Sequence, residues 1–99
     1  MMTELMNYPN PMRENTVFSC LLSSAASQID FELFTLSGRK IKSETIGSVP
    51  AGYNEFYSWN GDDADFDRIA TGVYIYKVTA VSELYDKTIE SFGKIILVN

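Results

Sequence analysis

Alternation with a period of two residues is the feature that most limits how this chain folds. From Gln28 to Leu36, Ile29, Phe31 and Leu33 alternate with Asp30, Glu32 and Phe34. Successive side chains of a strand point to opposite faces, so this stretch reads as a half-buried strand. Asn15 to Leu22 repeats the pattern, with Phe18, Cys20 and Leu22 on one face and Val17, Ser19 and Leu21 on the other. Gly72 to Val81 is the longest case: Tyr74, Tyr76, Val78 and Ala80 stand against Val73, Ile75, Lys77 and Thr79. No segment carries the 3.6-residue period of an amphipathic helix.

Turn signals separate these runs. Ser37-Gly38 closes a hairpin, with glycine supplying the positive φ. Arg39 to Ile46 returns as a more polar strand, with Ile41 expected as its apolar anchor. Pro50-Ala51-Gly52 breaks the chain again. Tyr53 to Trp59 is an aromatic strand, with Tyr53, Tyr57 and Trp59 expected on one side. Asn60-Gly61 ends it, and an acidic loop follows to Thr71, with Phe66 and Ile69 expected to pin it to the core. A last strand runs from about Ile89 into Ile95-Ile96-Leu97-Val98. Six or seven short strands with turns every ~8–12 residues make an all-β antiparallel sandwich or barrel.

A chain of 99 residues is one domain. Residues 1–6 read as a linker and residues 7–99 as the domain. In Asn7-Tyr8-Pro9-Asn10-Pro11, two prolines fix φ twice, remove two N–H donors and hold the preceding residues extended. That makes a stiff lead-in to the first strand.

Composition excludes several functions. Eight basic against thirteen acidic residues give a net charge of -5, which repels phosphate backbones. Arg39, Lys40 and Lys42 are the only basic cluster, of the kind that guards a strand edge. With no histidine there is no Ser-His-Asp or Cys-His nucleophile and no His-based metal site. Cys20 is the single cysteine, so no disulfide forms within the chain. No run is apolar enough to span a membrane as a helix. Met1 to Asn10 is no signal peptide, so either the chain is cytoplasmic or its export signal lies elsewhere; the second is expected.

Candidate chemistry is sparse. Asp63, Asp65 and Asp67 share the one-three-five spacing of an EF-hand loop. Arg68 stands where that loop needs glycine and Tyr74 where it needs glutamate, so a solvated acidic loop is the expected reading and no metal is assigned. Nothing in the sequence sets two carboxylates across a pocket for glycosidase chemistry. No cofactor is expected. Tyr53, Phe56, Tyr57, Trp59, Tyr74 and Tyr76 suit either a core or a sugar-stacking platform. Because Phe56 and Tyr57 are adjacent, one of them is expected to point away from the buried face.

The ordered set of motifs resembles a known family. It comprises Tyr8-Pro9-Asn10-Pro11 with Thr16, Phe34 to Arg39, Pro50-Ala51-Gly52, Trp59-Asn60-Gly61, Ala70-Thr71-Gly72-Val73-Tyr74 with Tyr76-Lys77-Val78, and Lys94 in an apolar strand. These resemble the immunoglobulin-like sandwich of the flagellar hook-capping protein, and most nearly the C-terminal sorting domains of the type IX secretion system of Bacteroidota. The resemblance implies an immunoglobulin-like fold of about seven strands. It also implies a non-catalytic role in carrying a secreted protein, by way of the periplasm and outer membrane, to the cell surface or the exterior. Its implied partners are the outer-membrane translocon, a shuttle β-barrel and upstream domains of the same chain. The sortase of that system keeps a similar domain, and this chain resembles that retained copy too. Gly72, Tyr74, Lys94, Ile95, Ile96, Leu97 and Val98 are the recognition residues so implied. A terminal edge strand would offer unpaired N–H and C=O groups to a partner, and the same apolar run would serve equally as a plain core strand; the two readings are compatible. A spacer in a large extracellular enzyme, or a carbohydrate-binding module, are the competing readings.

Overall fold

The alternating segments become strands in a computed structural model, which describes residues 2–82, 84 and 87–99. The strands are β1 (Met2–Tyr8), β2 (Thr16–Leu22), β3 (Ala26–Thr35), β4 (Lys40–Ile46), β5 (Gly52–Trp59), β6 (Gly72–Ser82) and β7 (Thr88–Leu97). One sheet has the order β1-β2-β5 and the other β4-β3-β6-β7, with every neighbouring pair antiparallel. The chain crosses between sheets after β2, after β4 and after β5. This is an immunoglobulin-like β-sandwich.

The three periodic segments bury the faces that their alternation marks. Phe18, Cys20 and Leu22 meet Ile29, Phe31 and Leu33, with Tyr76, Val78 and Ala80 beside them, all inside. Phe18 is the centre: its ring lies 4.7 Å from that of Phe31 and 4.8 Å from that of Tyr76. Each such ring taken out of water contributes on the order of 2 kcal/mol before packing geometry is counted. In the β3–β4 turn, Gly38 takes φ 95°, and its N–H bonds the Thr35 carbonyl at 3.0 Å.

Four expectations are corrected. Residues 2–6 are not a linker but part of β1. Met2 is buried opposite Leu22, and an irregularity between Thr3 and Met6, with Glu4 at φ 53°, hides the alternation. In β4 the side chain turned fully inward is Lys42, 7% exposed, while Ile41 is only half-buried. In β5 a bulge breaks the register between Phe18 and Ser19, so the inward face changes parity. Phe56 and Tyr57 therefore both pack on the core, and Tyr53 lies on the opposite face from Trp59. Phe66 does not pin the loop: it is 83% exposed at φ 67°, and Ile69 alone packs inward. The Ser82–Thr88 connection is longer in sequence than a tight hairpin needs, and it includes residues 83, 85 and 86, outside the described residues.

Gly93 sits opposite Tyr76 across β6 and β7. A Cβ there would lie 2.3 Å from Cζ of the buried Tyr76 ring. Gly93→Ala is therefore expected to cost roughly 1–3 kcal/mol through overpacking, read as a lower urea midpoint at unchanged slope. Phe66→Gly relieves a left-handed backbone that disfavours any Cβ. Its stability is expected to stay level or rise by up to about 1 kcal/mol in the same assay, with glycine's own entropy cost limiting the gain. Burial pushes the Tyr76 phenol up to about 12 from 10.0. The unfolded chain thus ionises first, so this contribution is intact below pH 10 and lost between pH 10 and about 12. Tyrosinate absorbance and loss of near-ultraviolet dichroism should rise together over that window.

Candidate recognition surface

The terminal strand lies at the edge of the four-stranded sheet. Ile95 and Leu97 are fully buried, Val98 is half-buried, and Lys94 and Ile96 face outward. Ile96 pairs with Val73, and Lys94 with Ile75, which itself pairs with Phe34. Two rows apart from Ile96, Phe92 is 62% exposed beside the Lys77–Glu90 and Lys77–Glu32 ion pairs. Gly72 is half-buried. The Tyr74 ring is buried and its hydroxyl donates to the Ala70 carbonyl at 2.6 Å. That bond is the tyrosine corner of immunoglobulin-like sandwiches. Of the seven residues singled out from the sequence, only Lys94 and Ile96 present exposed side chains.

The backbone edge departs from expectation. In an antiparallel ladder alternate residues direct their N–H and C=O away from the partner strand. On β7 these are the even-numbered residues, and the segment between β1 and β2 already covers the last of them. The Asn10 side chain donates to the Lys94 carbonyl at 2.9 Å and accepts from the Ile96 N–H at 3.0 Å. Met12 donates to the Ile96 carbonyl at 2.8 Å and accepts from the Val98 N–H at 2.9 Å. Lys94 to Val98 is thus not an unpaired edge. The carboxamide of Asn10 has the donor and acceptor of a peptide group and takes the place of one. Among the described residues, this cover does not reach the outward groups of residues 88, 90 and 92 or the N–H of Lys94.

Asn10 is aimed by a buried polar network. Its Nδ2 also donates to Asn7 Oδ1 at 3.2 Å, which receives the Tyr76 hydroxyl at 3.3 Å. Asn7 Nδ2 donates to Thr16 Oγ1 at 3.1 Å, and that hydroxyl donates to the Pro9 carbonyl at 2.9 Å. Sequence reading gave the Asn7–Pro11 segment a stiffening role and missed these partners. No pattern of spacing announces an asparagine that imitates a backbone.

The acidic loop is organised by hydrogen bonds. Asp63 Oδ1 accepts the N–H groups of Asp65 and Asp67 at 2.9 and 3.0 Å. Asp62 pairs with Lys42 Nζ at 3.1 Å. Among the described residues no three carboxylates or thiols converge as metal ligands. Arg68 bonds Asn99 Oδ1 at 2.9 Å and the carbonyls of Arg13, Glu14 and Asn60, tying this loop to the β1–β2 connection and to the residue past the end of β7. Trp59, Tyr74 and Tyr76 are buried, and Phe56 and Tyr57 half-buried, so the six aromatics form no exposed platform. They are drawn in because the bulge of β5 and the pleat of β6 turn them to the core. Burial raises the pKa of the Cys20 thiol, away from reactive thiolate.

Comparison with known proteins gives the wider setting. The structure resembles dimeric latent PorU from Porphyromonas gingivalis with a TM-score of 0.75 and 22% identity, covering 95% of this chain and 9% of PorU. It resembles the hook-capping FlgD of Xanthomonas campestris with a TM-score of 0.65 and 18% identity, covering 95% of this chain and 64% of that one. PorZ, a bacterial surface component of the type-IX secretion system of P. gingivalis, matches with a TM-score of 0.55 and 17% identity, covering 97% of this chain and 12% of PorZ. The chain therefore spans only a small part of PorU and PorZ. No curated protein sequence matches it. At these identities the structures attest a shared fold. The family model for the FlgD Ig-like domain matches residues 12–83, well over half of the sequence, and the chain belongs to that family.

Proposed function

We propose that this domain is a non-catalytic address or dock that brings a secreted protein to the outer membrane through the type IX secretion system. The carrying observation is the placing of β7 at a sheet edge with Lys94 and Ile96 outward. The likeness to PorZ supports the choice of system. The proposed partners are the translocon and an outer-membrane shuttle β-barrel, and the recognised element is the terminal strand with Gly72 and Tyr74 supporting it. Because Asn10 and Met12 occupy the backbone edge, recognition either reads the outward side chains or displaces that cover. Upstream domains of the same chain would be the cargo, at the cell surface or released. In the finer reading this is the copy that a sortase keeps as its anchor.

A scaffold role is the second reading, favoured by the likeness to FlgD. It expects no traffic across the outer membrane. Both are tested by fusing the chain to the end of a periplasm-directed reporter in a bacterium with a working type IX system. The fusion is expected at the cell surface, and deletion of residues 90–99 should hold it in the periplasm. A reporter that stays periplasmic with the intact domain, or that crosses without those residues, rejects the sorting reading. The mass of the surface-exposed fusion separates a retained domain from a cleaved one.

A further inference from the structure

A polar cleft lies where edge strands β4 and β5 of the two sheets face each other. Its volume is about 390 Å³, and Asn15, Lys42, Tyr57, Trp59, Asn60 and Asp62 line it. This is within the range of small-ligand sites, at its lower end. We propose that this cleft binds a neutral saccharide, with Phe66 as the stacking surface at its rim.

The polar groups suit hydroxyls, each of which both donates and accepts. Lys42 Nζ uses two of its three donors, on Asp62 Oδ1 at 3.1 Å and the Asp63 carbonyl at 3.5 Å. Its third remains for a ligand. Asp62 keeps its second carboxylate oxygen. Among the described residues the Tyr57 hydroxyl and the Asn15 side chain have no hydrogen-bond partner, and Asn60 engages only its oxygens. Burial first, and then the charges of Glu44 and Asp62, keep Tyr57 protonated and a donor.

Charge narrows the class. The Lys42–Asp62 pair cancels within the cleft, so an anion meets a carboxylate and a cation meets an ammonium. A neutral polyol meets neither penalty. Phe66 supplies the apolar side. Its ring centre is 6.0 Å from Nζ of Lys42, which lines the cleft, and it is almost wholly exposed. The loop backbone that carries it is held by Ala64 N–H to Ile41 C=O at 3.0 Å and the two bonds on Asp63, so binding need order only the side chain. The site is separate from the terminal strand, and sorting and sugar binding stand or fall independently.

The test is a nitrogen-15 NMR titration of the intact chain with methyl β-glucoside, N-acetylglucosamine and mannose. Each is taken to about 50 mM, which loads a site of roughly 1–10 mM Kd. Saturable shifts are expected at Asn15, Tyr57, Asn60 and Asp62 with at least one sugar. Phe66→Gly should weaken that binding about fivefold or more, and Tyr57→Phe should weaken it independently; spectra of both variants report whether they are folded. Three results overturn the proposal: no saturable shift with any sugar, equal shifts with glycerol, or unchanged affinity in both folded variants.

Discussion

The carboxamide of Asn7 is buried between the sheets, and the arrangement of both chain ends depends on its being satisfied there. An unpaired amide at that depth costs roughly 1–3 kcal/mol, so its partners are constrained in position. Tyr76 approaches from β6, Thr16 from the start of β2, and Asn10 from the connecting segment. The Tyr76 ring can reach only because Gly93 leaves room beneath it. Asn10, fixed by Asn7, then closes on Lys94 and Ile96. One buried amide thus links the opening of the chain to its last strand. The same link decides what β7 shows to solvent: side chains of Lys94 and Ile96, but little free backbone at its end.

Much of the fold was legible because burial follows a simple rule along unbroken strands. Ile29, Phe31 and Leu33 or Tyr74, Tyr76 and Val78 need only the two-residue pleat to be assigned a face. The misreadings fall where that rule is interrupted. The bulge near Phe56 shifts parity by one residue, so adjacent aromatics share a face. The irregularity in β1 disguises a strand as a linker. Lys42 is turned inward because a carboxylate waits for it twenty residues away, which no local pattern reveals. The tyrosine corner is similar: Tyr74 was singled out for recognition, and the structure gives it a structural bond. Among the candidate residues, the acidic loop was read as solvated, whereas Asp63 and Asp62 are its internal fasteners.

Lys42 and Asp62 illustrate how a small sandwich closes its flank. Edge strands β4 and β5 belong to different sheets and have no ladder between them. A salt bridge from Lys42 of β4 to Asp62, in the loop that follows β5, spans the seam instead. Removing either partner leaves a poorly hydrated charge, so the pair constrains its surroundings more than it stabilises them. The seam therefore stays polar and accessible, in contrast to the apolar packing around Phe18.

The segment that covers β7 also has a mechanical meaning. Met12 pairs with Leu97 in parallel, so the two stretches run the same way along the sheet. Tension between the ends of this chain draws the earlier stretch backward and the later one forward. The bonds of Asn10 and Met12 to residues 94–98 are then loaded in shear, all at once, rather than peeled one after another. The core lies behind that clasp and is protected until it gives.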